Sequence, residues 1–354
     1  MASIRRLHLD PSARQPLLKD QKDSNDAGPA LSPKKVHTHP RSSGQLGGHD
    51  TNASIFFIGT ATTVLEFAGL RILTDPNFLH AGDHVHLGPG VTAQRRTNPA
   101  VDLHELPSMD AILLSHYHAD HFDQLVEDNL NRAFPIITTP HAKGCLEGKD
   151  VPFTGVSGLD FWESLMIVKG LDSERSGKQA VVKVTGMPGK HVPPGPLSVA
   201  NDLLKAVPPT NGWLLELGYA PAGKQGSADE SDTIQTGYRI YISGDTLFVD
   251  ELREIPKRLK DQAIDLMLVH LGGTTIPGPK MPLLMVTMDG EQGLKLMQLM
   301  DPDVTIPIHF DDYDVFLSPL KDFQDKVESE DGGKWRERVV YLDRGEGYNF
   351  KVQE

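Results

Sequence analysis

Short runs of apolar residues, separated by polar or glycine-containing turns, recur along most of this chain and predict many strands. The first runs are SIFFI, TVLEF and LRILTD, which begin after residue 53 and are rich in β-branched and aromatic residues. Ala68-Gly69 separates the last two runs and predicts a hairpin turn. Further strands are expected in the middle of the chain at SLMIVKG, QAVVKVTG, WLLELGYA and YRIYISGD.

Helical spacing appears in two regions beside these strands. Residues 122–133 place apolar side chains at 122, 125, 126 and 130, directly after the strand candidate DAILLSH. Beyond Asp245 the pattern alternates, with helices expected at LFVDELREIPKRLK, which Pro256 breaks, and at MDGEQGLKLMQLM. AIDLMLVH and DVTIPIH are predicted strands, and a helix and a last strand, ERVVYLD, close the chain. The pattern predicts an α/β fold with two sheets packed face to face and helices outside.

The first 52 residues differ from the rest of the chain. They are rich in Ser, Pro, Gly, Lys, Asp and His and show no apolar period, which predicts a disordered N-terminal leader in front of one domain at residues 53–354. Three arginines near the start hint at a transit peptide, but the acidic residues among them favour a solvated tail. Residues 221–233 predict a long connection between two strands.

Composition narrows the class of protein. The chain has 354 residues, 38% of them hydrophobic, and a formal net charge of −13, which argues against a protein that binds nucleic acid. A single cysteine, Cys145, excludes a disulfide framework and is typical of a reducing compartment, so we expect a cytoplasmic location. No apolar run reaches the roughly 18 residues of a transmembrane helix. The expected partner is a small-molecule substrate, and the oligomeric state stays open.

Five predicted strands end on histidine or aspartate. Asp75 ends LRILTD, His116 ends AILLSH, and Asp245 ends YRIYISGD, while His191 follows VVKVTGMPGK and His309 ends VTIPIH. Because sites gather at the carboxyl ends of strands in α/β sheets, we expect these side chains to meet at one place.

The stretch LLSHYHADHFD adds further candidate ligands to this place. His116 and His118 are two residues apart, so both imidazoles point to one side of an extended segment. Asp120 and His121 follow as the chain turns into the next helix. Imidazole and carboxylate are suitable ligands for zinc and its neighbours, whereas an ordinary solvated turn would more often use Asn, Asp, Ser or Gly. The stretch therefore predicts a metal site.

The order HxHxDH, His, Asp, His resembles the metallo-β-lactamase superfamily over residues 53–350. The segment FFIGTATTVLEFAGLRILTDP is similar to the opening hairpin of its lactonase-like and N-acyl-phosphatidylethanolamine phospholipase D-like branch, and a fungal lactamase-type member is the expected kind. The resemblance implies a four-layer αβ/βα sandwich of two mixed sheets with outer helices. The sequence departs from true β-lactamases, which lack the bridging aspartate and in several cases use a cysteine ligand.

The resemblance also implies a set of ligands for two divalent metal ions. His116, His118 and His191 resemble the ligands of one ion. Asp120, His121 and His309 resemble those of the second, with Asp245 bridging both. Asp75 is similar to a buried aspartate that supports a ligand from behind. Zn²⁺ is the first expectation for the ions, and His and Asp ligands also accept Mn²⁺ or Fe²⁺.

Asp120 and Asp245 are the expected catalytic residues. The two ions would hold a bridging hydroxide that attacks the substrate, and Asp120 would orient this nucleophile or carry a proton. Two further residues are candidates for the substrate pocket: His270, which ends the predicted strand AIDLMLVH, and Tyr313, which follows the predicted ligand His309 closely in the sequence. For His270 the alternative is a hydrogen-bonded structural histidine.

Three activities compete at the level of the sequence. The first is the opening of a small cyclic amide, carbamate or ester, as in a lactamase or lactonase that detoxifies foreign compounds. The second is a phosphodiesterase of the phospholipase D-like branch, and the third is a non-catalytic scaffold, which the complete ligand set disfavours. Few basic residues flank the predicted ligands, namely Lys190, Arg95, Arg96 and Lys280, and a phosphodiester usually calls for such residues. We therefore expect the substrate to be a neutral cyclic amide, carbamate or ester and not a phosphodiester.

Overall fold

The computed structural model describes residues 4–23, 27–40, 51–88, 91–170, 178–193, 195, 201, 207–221, 234–260, 262–278 and 280–354. Strands and helices are numbered separately in chain order. The first sheet has the strand order β10-β9-β8-β5-β4-β3-β20-β2. Its strands are β2 (Val36–His37), β3 (Ala53–Gly59), β4 (Thr62–Phe67), β5 (Leu70–Thr74), β8 (Ala111–Leu113), β9 (Ile136–Thr138), β10 (Val156–Gly158) and β20 (Gly347–Phe350).

The second sheet has the order β1-β11-β12-β13-β14-β15-β18. Its strands are β1 (Arg5–Leu9), β11 (Ser164–Lys169), β12 (Lys178–Met187), β13 (Gly212–Pro221), β14 (Gln235–Ile242), β15 (Leu266–His270) and β18 (Val304–Ile308). Both sheets are mixed, since β3, β4 and β5 pair antiparallel while β5, β8 and β9 pair parallel, and β14, β15 and β18 form a parallel group beside antiparallel strands. Two smaller sheets contain β6 (His84–His86), β7 (Thr92–Gln94), β16 (Gly272–Gly278), β17 (Met281–Met285) and β19 (Phe316–Ser318).

Helices cover the outer face of each sheet. They are α1 (Gln124–Asn129), α2 (Pro140–Glu147), α3 (Glu254–Leu259), α4 (Gly290–Met300) and α5 (Leu320–Glu328), with 3₁₀ turns at Leu103–Glu105, Asp250–Arg253 and Glu330–Arg338. No helix in these described segments has both the length and the apolar character needed to cross a membrane.

Strand β3 shows why the layers form. Its side chains Ile55 and Phe57 lie in the core between the two sheets, while Phe56 and Ile58 lie in a second core beneath α1 and α2. Both faces of the strand are buried, so its sequence is a continuous apolar run without alternation. A third core packs α3, α4 and α5 against the second sheet. The architecture is the four-layer αβ/βα sandwich that the sequence predicts.

Several predicted elements are confirmed with altered limits. Ala68 and Gly69 have φ of 52° and 84° and form the turn between β4 and β5. The helix predicted at 122–133 is shorter, because α1 begins after its cap Asp123 and ends at Asn129. Pro256 lies in the first turn of α3, where its missing N–H costs little hydrogen bonding. The predicted helix is divided before the proline, because residues Asp250–Arg253 form a 3₁₀ turn. The connection predicted at 221–233 lies outside the described residues after Pro221.

The prediction of a disordered leader at 1–52 is wrong for its described parts. Strand β1 pairs in parallel with β11, and β2 pairs in parallel with β20. Between them, Leu17 and Leu18 are 3% and 2% exposed and pack in the core beneath α1. The backbone N–H of Lys19 donates to the carbonyl of Asn129 at 2.8 Å. A few well-placed apolar residues thus order a segment whose average composition is polar.

The last strand is also placed differently from the prediction. ERVVYLD contributes only an isolated bridge between Val339 and Thr305, and the closing strand is β20. Val340 and Leu342 are nevertheless buried in the core between the sheets. The apolar pattern therefore predicts correctly that these residues are buried. The segment is not a strand, because its backbone forms only this one bridge to a neighbouring strand.

Candidate metal centre

The loop that follows β8 carries four of the predicted ligands. It turns tightly, since the N–H groups of His121 and Phe122 both donate to the carbonyl of His118, at 3.0 and 2.8 Å. Asp123 then caps α1 by accepting from the N–H of Val126 at 2.8 Å. This turn brings the side chains of His116, Asp120 and His121 into the interior, at 0%, 1% and 0% exposure.

The other three predicted ligands and the supporting Asp75 follow the ends of strands, as expected from the sequence. Asp75 follows β5, His191 follows β12, Asp245 follows β14 and His309 follows β18. All four are buried. The structure therefore brings together the seven predicted ligands and the supporting Asp75, from five separate segments. The groups whose ligand atoms lie within 4.8 Å of one another include Asp120, His121, Asp245 and His309, and also His116, His191 and Asp245.

The group of Asp120, His121, Asp245 and His309 has the geometry of a ligand cage. His121 Nε2 lies 3.1 Å from His309 Nε2 and 3.3 Å from Asp245 Oδ2. His309 Nε2 lies 3.4 Å from Asp245 Oδ2 and 3.5 Å from Asp120 Oδ2, and the distance from His121 Nε2 to Asp120 Oδ2 is 3.8 Å. Ligands at about 2.0–2.1 Å from a tetrahedral zinc ion stand about 3.3 Å apart, so the four atoms fit one ion.

The group of His116, His118 and His191 leaves one nitrogen of each ring without a hydrogen bond. The Nε2 atoms of all three are buried, and none has a partner within the described parts of the chain. His191 Nδ1 is 2.9 Å from the carbonyl of Val286, and His116 Nδ1 is 2.9 Å from Ser115 Oγ. A histidine that binds a metal usually donates its other N–H in this way, which fixes the tautomer. The orphaned Nε2 atoms are therefore available as metal ligands. His116 and His191 form one close group with Asp245, and His116 and His118 form another with Asp120.

Burial and charge give the histidines different protonation states. Burial lowers the pKa of His116, and it lowers the pKa of His191 to about 4 against the opposing attraction of Asp245. Burial acts in the same direction on His121 and His309, but the carboxylates of Asp245 and Asp120 outweigh it and raise the pKa of both. Without metal, burial therefore favours the neutral form of the first two histidines, whereas the carboxylates favour the protonated form of the second two.

The same histidines keep the carboxyl groups of Asp120 and Asp245 ionised. Burial alone would raise the pKa of each carboxyl, but the neighbouring histidines, among them His121 and His309, lower it below the usual range. Asp245 Oδ2 also accepts a hydrogen bond from Thr287 Oγ1 at 2.9 Å. No feature of the sequence pointed to Thr287, which lies two residues beyond β17.

Asp75 lies behind the ligands, where the sequence placed it. Its Oδ1 accepts from the N–H of Ser115 at 2.7 Å, and its Oδ2 lies 3.5 Å from His121 Nδ1. Its carboxylate therefore orients both the ligand loop and the ring of His121. Ser115 contacts Asp75 and His116 and was missed, although it directly precedes the first predicted ligand.

The pocket positions predicted for His270 and Tyr313 are corrected by the structure. Both residues are 0% exposed. His270 Nδ1 is 2.9 Å from Asp245 Oδ1, so the ring supports the candidate bridging carboxylate from behind. The hydroxyl of Tyr313 accepts from Asn77 Nδ2 at 2.7 Å, and the Arg95 guanidinium lies over the Tyr313 ring, 5.1 Å from its centre. Neither side chain reaches the surface of the described structure, and His270 Nε2 has no hydrogen-bond partner among the described residues.

A buried charge network stands behind His309. Asp312 and Arg95 are 0% and 1% exposed. Asp312 accepts from the N–H of Thr60 at 2.7 Å and from Arg344, and Arg95 contacts the hydroxyl of Thr60. The carbonyl of Thr60 in turn accepts from the N–H of His309 at 2.6 Å. Thr60 and His309 have φ of 50° and 60°, so this network holds two strained residues that aim one candidate ligand.

Comparisons with known proteins agree with this architecture. The model of the beta-lactamase superfamily domain matches residues 67–222. A metal-dependent hydrolase of Carboxydothermus hydrogenoformans is 26% identical over 281 residues, which cover 77% of this chain and 91% of that protein. The crystal structure of isothiocyanate hydrolase from Delia radicum gut bacteria superposes with a TM-score of 0.62 at 17% identity, covering 84% of this chain and 99% of that one.

Other relatives match over shorter stretches. The mitochondrial N-acyl-phosphatidylethanolamine-hydrolyzing phospholipase D of Saccharomyces cerevisiae is 31% identical over 121 residues, which cover 32% of this chain and 23% of that protein. The chain spans about a fifth of the length of the mycobacterial relatives that it matches. Taken with the superfamily match and the fold, these findings confirm the resemblance to the metallo-β-lactamase superfamily, and the chain has the metallo-β-lactamase fold.

Proposed function

We propose that this protein is a metal-dependent hydrolase with two divalent ions. His116, His118 and His191 would hold one ion, Asp120, His121 and His309 the other, and Asp245 would contact both. The observation that carries the proposal is the convergence of these buried side chains, with three imidazole nitrogens left without a partner in the described structure. Zn²⁺ is the ion that we propose first, because the donors are imidazole and carboxylate and four of them lie at tetrahedral spacing.

The surrounding residues define how the centre would work. When bound, the ions supply a Lewis acid and lower the pKa of water. Asp245 holds the two ligand groups together, and His270 and Thr287 fix its carboxylate. Asp120 Oδ1 is buried and accepts no hydrogen bond among the described residues, so it is the atom that would orient the attacking water and take its proton. No serine or cysteine nucleophile is required.

The proposed substrate is a small cyclic amide, carbamate or ester, as a detoxifying lactamase or lactonase would open. Two of the basic residues near the predicted ligands are already engaged. Arg95 is buried in the network of Asp312, and Lys190 pairs with Glu251. Arg96 and Lys280 are exposed. A centre with few available cations suits a neutral ring better than an anion.

The second candidate function is a phosphodiesterase. It is favoured by the yeast phospholipase D relative, which matches at 31% identity over 121 residues. Metal ions can themselves neutralise a phosphate, so the same centre could perform either reaction.

The test is a paired assay of one metal-loaded preparation. It compares a bis-aryl phosphodiester with a panel of lactams, cyclic carbamates and lactones. We expect a higher kcat/KM for at least one ring compound than for the phosphodiester. Turnover of the phosphodiester without turnover of any ring compound would replace the first function by the second. A His118→Ala variant, which removes one candidate ligand, controls for contaminating hydrolases.

A further inference from the structure

An apolar groove with a volume of about 530 Å³ is lined in part by residues that follow His191 and Asp245 closely in the chain. Its walls come from the segments after His191 and Asp245 and from β17, with α4 along one side. The residues that matter most for its character are Pro193, Leu247, Phe248, Leu283, Leu284 and Met285. The volume lies within the range of about 300–1,000 Å³ that is typical of small-molecule sites.

Three of these walls lie close in the chain, or by a backbone contact, to the candidate ligands His191 and Asp245. Pro193 lies two residues after His191, and Leu247 lies two residues after Asp245. The N–H of Leu247 donates to the carbonyl of Lys190 at 2.8 Å, which ties these two walls together. Met285 precedes Val286, whose carbonyl contacts His191 Nδ1. The backbone segments that form the groove are therefore the same ones that position the candidate ligands His191 and Asp245.

The polar side chains of the groove are already occupied. Gln292 Oε1 accepts from the N–H of Phe248 at 2.7 Å. Lys295 Nζ lies 2.8 Å from Glu291 Oε1, and this ion pair cancels the positive charge at that end. What remains for a ligand is apolar surface, including Leu283, whose side chain is 72% exposed. Apolar surface of this kind favours a ligand that removes it from water.

We propose that the groove binds an uncharged apolar arm, alkyl or aryl, carried by the substrate next to its reacting group. The inference rests on the proposed hydrolase function and narrows its substrate class. The substrate would combine a polar ring with an apolar substituent. Leu283 and Phe248 become specificity-determining residues, since they contact the arm and not the reacting atoms.

The kinetic test uses a series of γ-lactones with side chains from methyl to octyl. With the wild-type protein, kcat/KM should rise about two- to fourfold for each methylene that enters the groove. In Leu283→Asp this rise should be lost, so that the ratio of kcat/KM for the octyl compound to that for the methyl compound falls towards one. Val151→Asp is the matched control, because Val151 is 62% exposed and lies outside the groove.

A binding test separates the groove from the reaction. Saturation-transfer NMR with N-octylacetamide and N-methylacetamide, which lack the ring, measures Kd on the metal-loaded protein. We expect the octyl probe to bind wild type and Val151→Asp alike, and at least about tenfold more weakly to Leu283→Asp. Equal Kd for both probes, or no effect of Leu283→Asp, would overturn the groove proposal even if lactones react. Groove-dependent binding without turnover of any ring compound would support the groove and refute the ring-opening activity.

Discussion

At the scale of single residues, the centre is prepared for metal by its hydrogen bonds. The Nδ1 atoms of His191 and His309 each contact a backbone carbonyl at 2.9 Å, which leaves Nε2 to face the ligand group. His121 and His309 have a raised pKa because two carboxylates face them. Protons and metal ions therefore compete for the same nitrogens.

This competition predicts that metal binding releases protons. The raised pKa of His121 and His309 favours a proton on each ring in the metal-free protein, and an ion that binds there must displace it. The apparent affinity for Zn²⁺ should therefore rise as pH increases through the raised pKa values. Calorimetry in buffers of different ionisation enthalpy measures the number of protons released. Binding without proton release at pH 7 would contradict this protonation state.

The network behind His309 predicts a positioning role for Asp312. Asp312→Asn keeps the shape of the side chain but removes the charge that faces Arg95 and Arg344 and weakens the acceptor for Thr60. We expect the affinity for one of two ions to fall by about 10- to 100-fold, as is typical of residues behind metal ligands. A chelator competition that resolves the two binding steps measures this. Asp250→Asn, at a highly exposed position, is the control, and equal loss of both ions would indicate general unfolding instead.

At the scale of elements, the N-terminal segment belongs to the fold. Leu18 is 2% exposed, and its backbone bridges to Leu130 at the end of α1. Leu18→Ala should lower the free energy of unfolding by about 2–5 kcal/mol, the usual effect of a leucine-to-alanine change in a core. Urea denaturation measures the change. Val151→Ala, at an exposed site, should stay within about 0.5 kcal/mol of wild type. Equal stability of both variants would mean that the segment does not pack on the core.

The elements also show what the sequence can and cannot predict. Runs such as SIFFI and AILLSH predict their strands because burial on both faces leaves a long apolar signal. The strand-end ligands were predictable because carboxyl ends of strands meet at one edge. The leader was not, since two leucines and backbone pairing order it while its composition stays polar. The burial of His270 and Tyr313 was not predictable, because the exposure of a side chain near a site depends on packing that periodicity does not contain.

At the scale of the whole molecule, the net charge of −13 should affect the hydrolysis of an anionic phosphodiester but not that of a neutral ring compound. A neutral ring compound does not feel this charge, so its kcat/KM should change less than about twofold between roughly 0.01 and 0.5 M salt. An anionic phosphodiester is repelled at low salt, and its hydrolysis should increase as salt screens the repulsion. Rates measured at constant metal saturation test both. A strong salt dependence for the neutral substrate would indicate that it binds through charged groups.

The metal content of the purified protein decides whether the buried histidines and aspartates contributed by both sheets bind two ions. Elemental analysis after reconstitution should give about two divalent ions per chain for the wild type. Asp245→Asn should give clearly fewer while circular dichroism stays unchanged, because the candidate ligand of both groups has lost its charge. A fully active wild-type protein with one ion or none per chain would contradict the account.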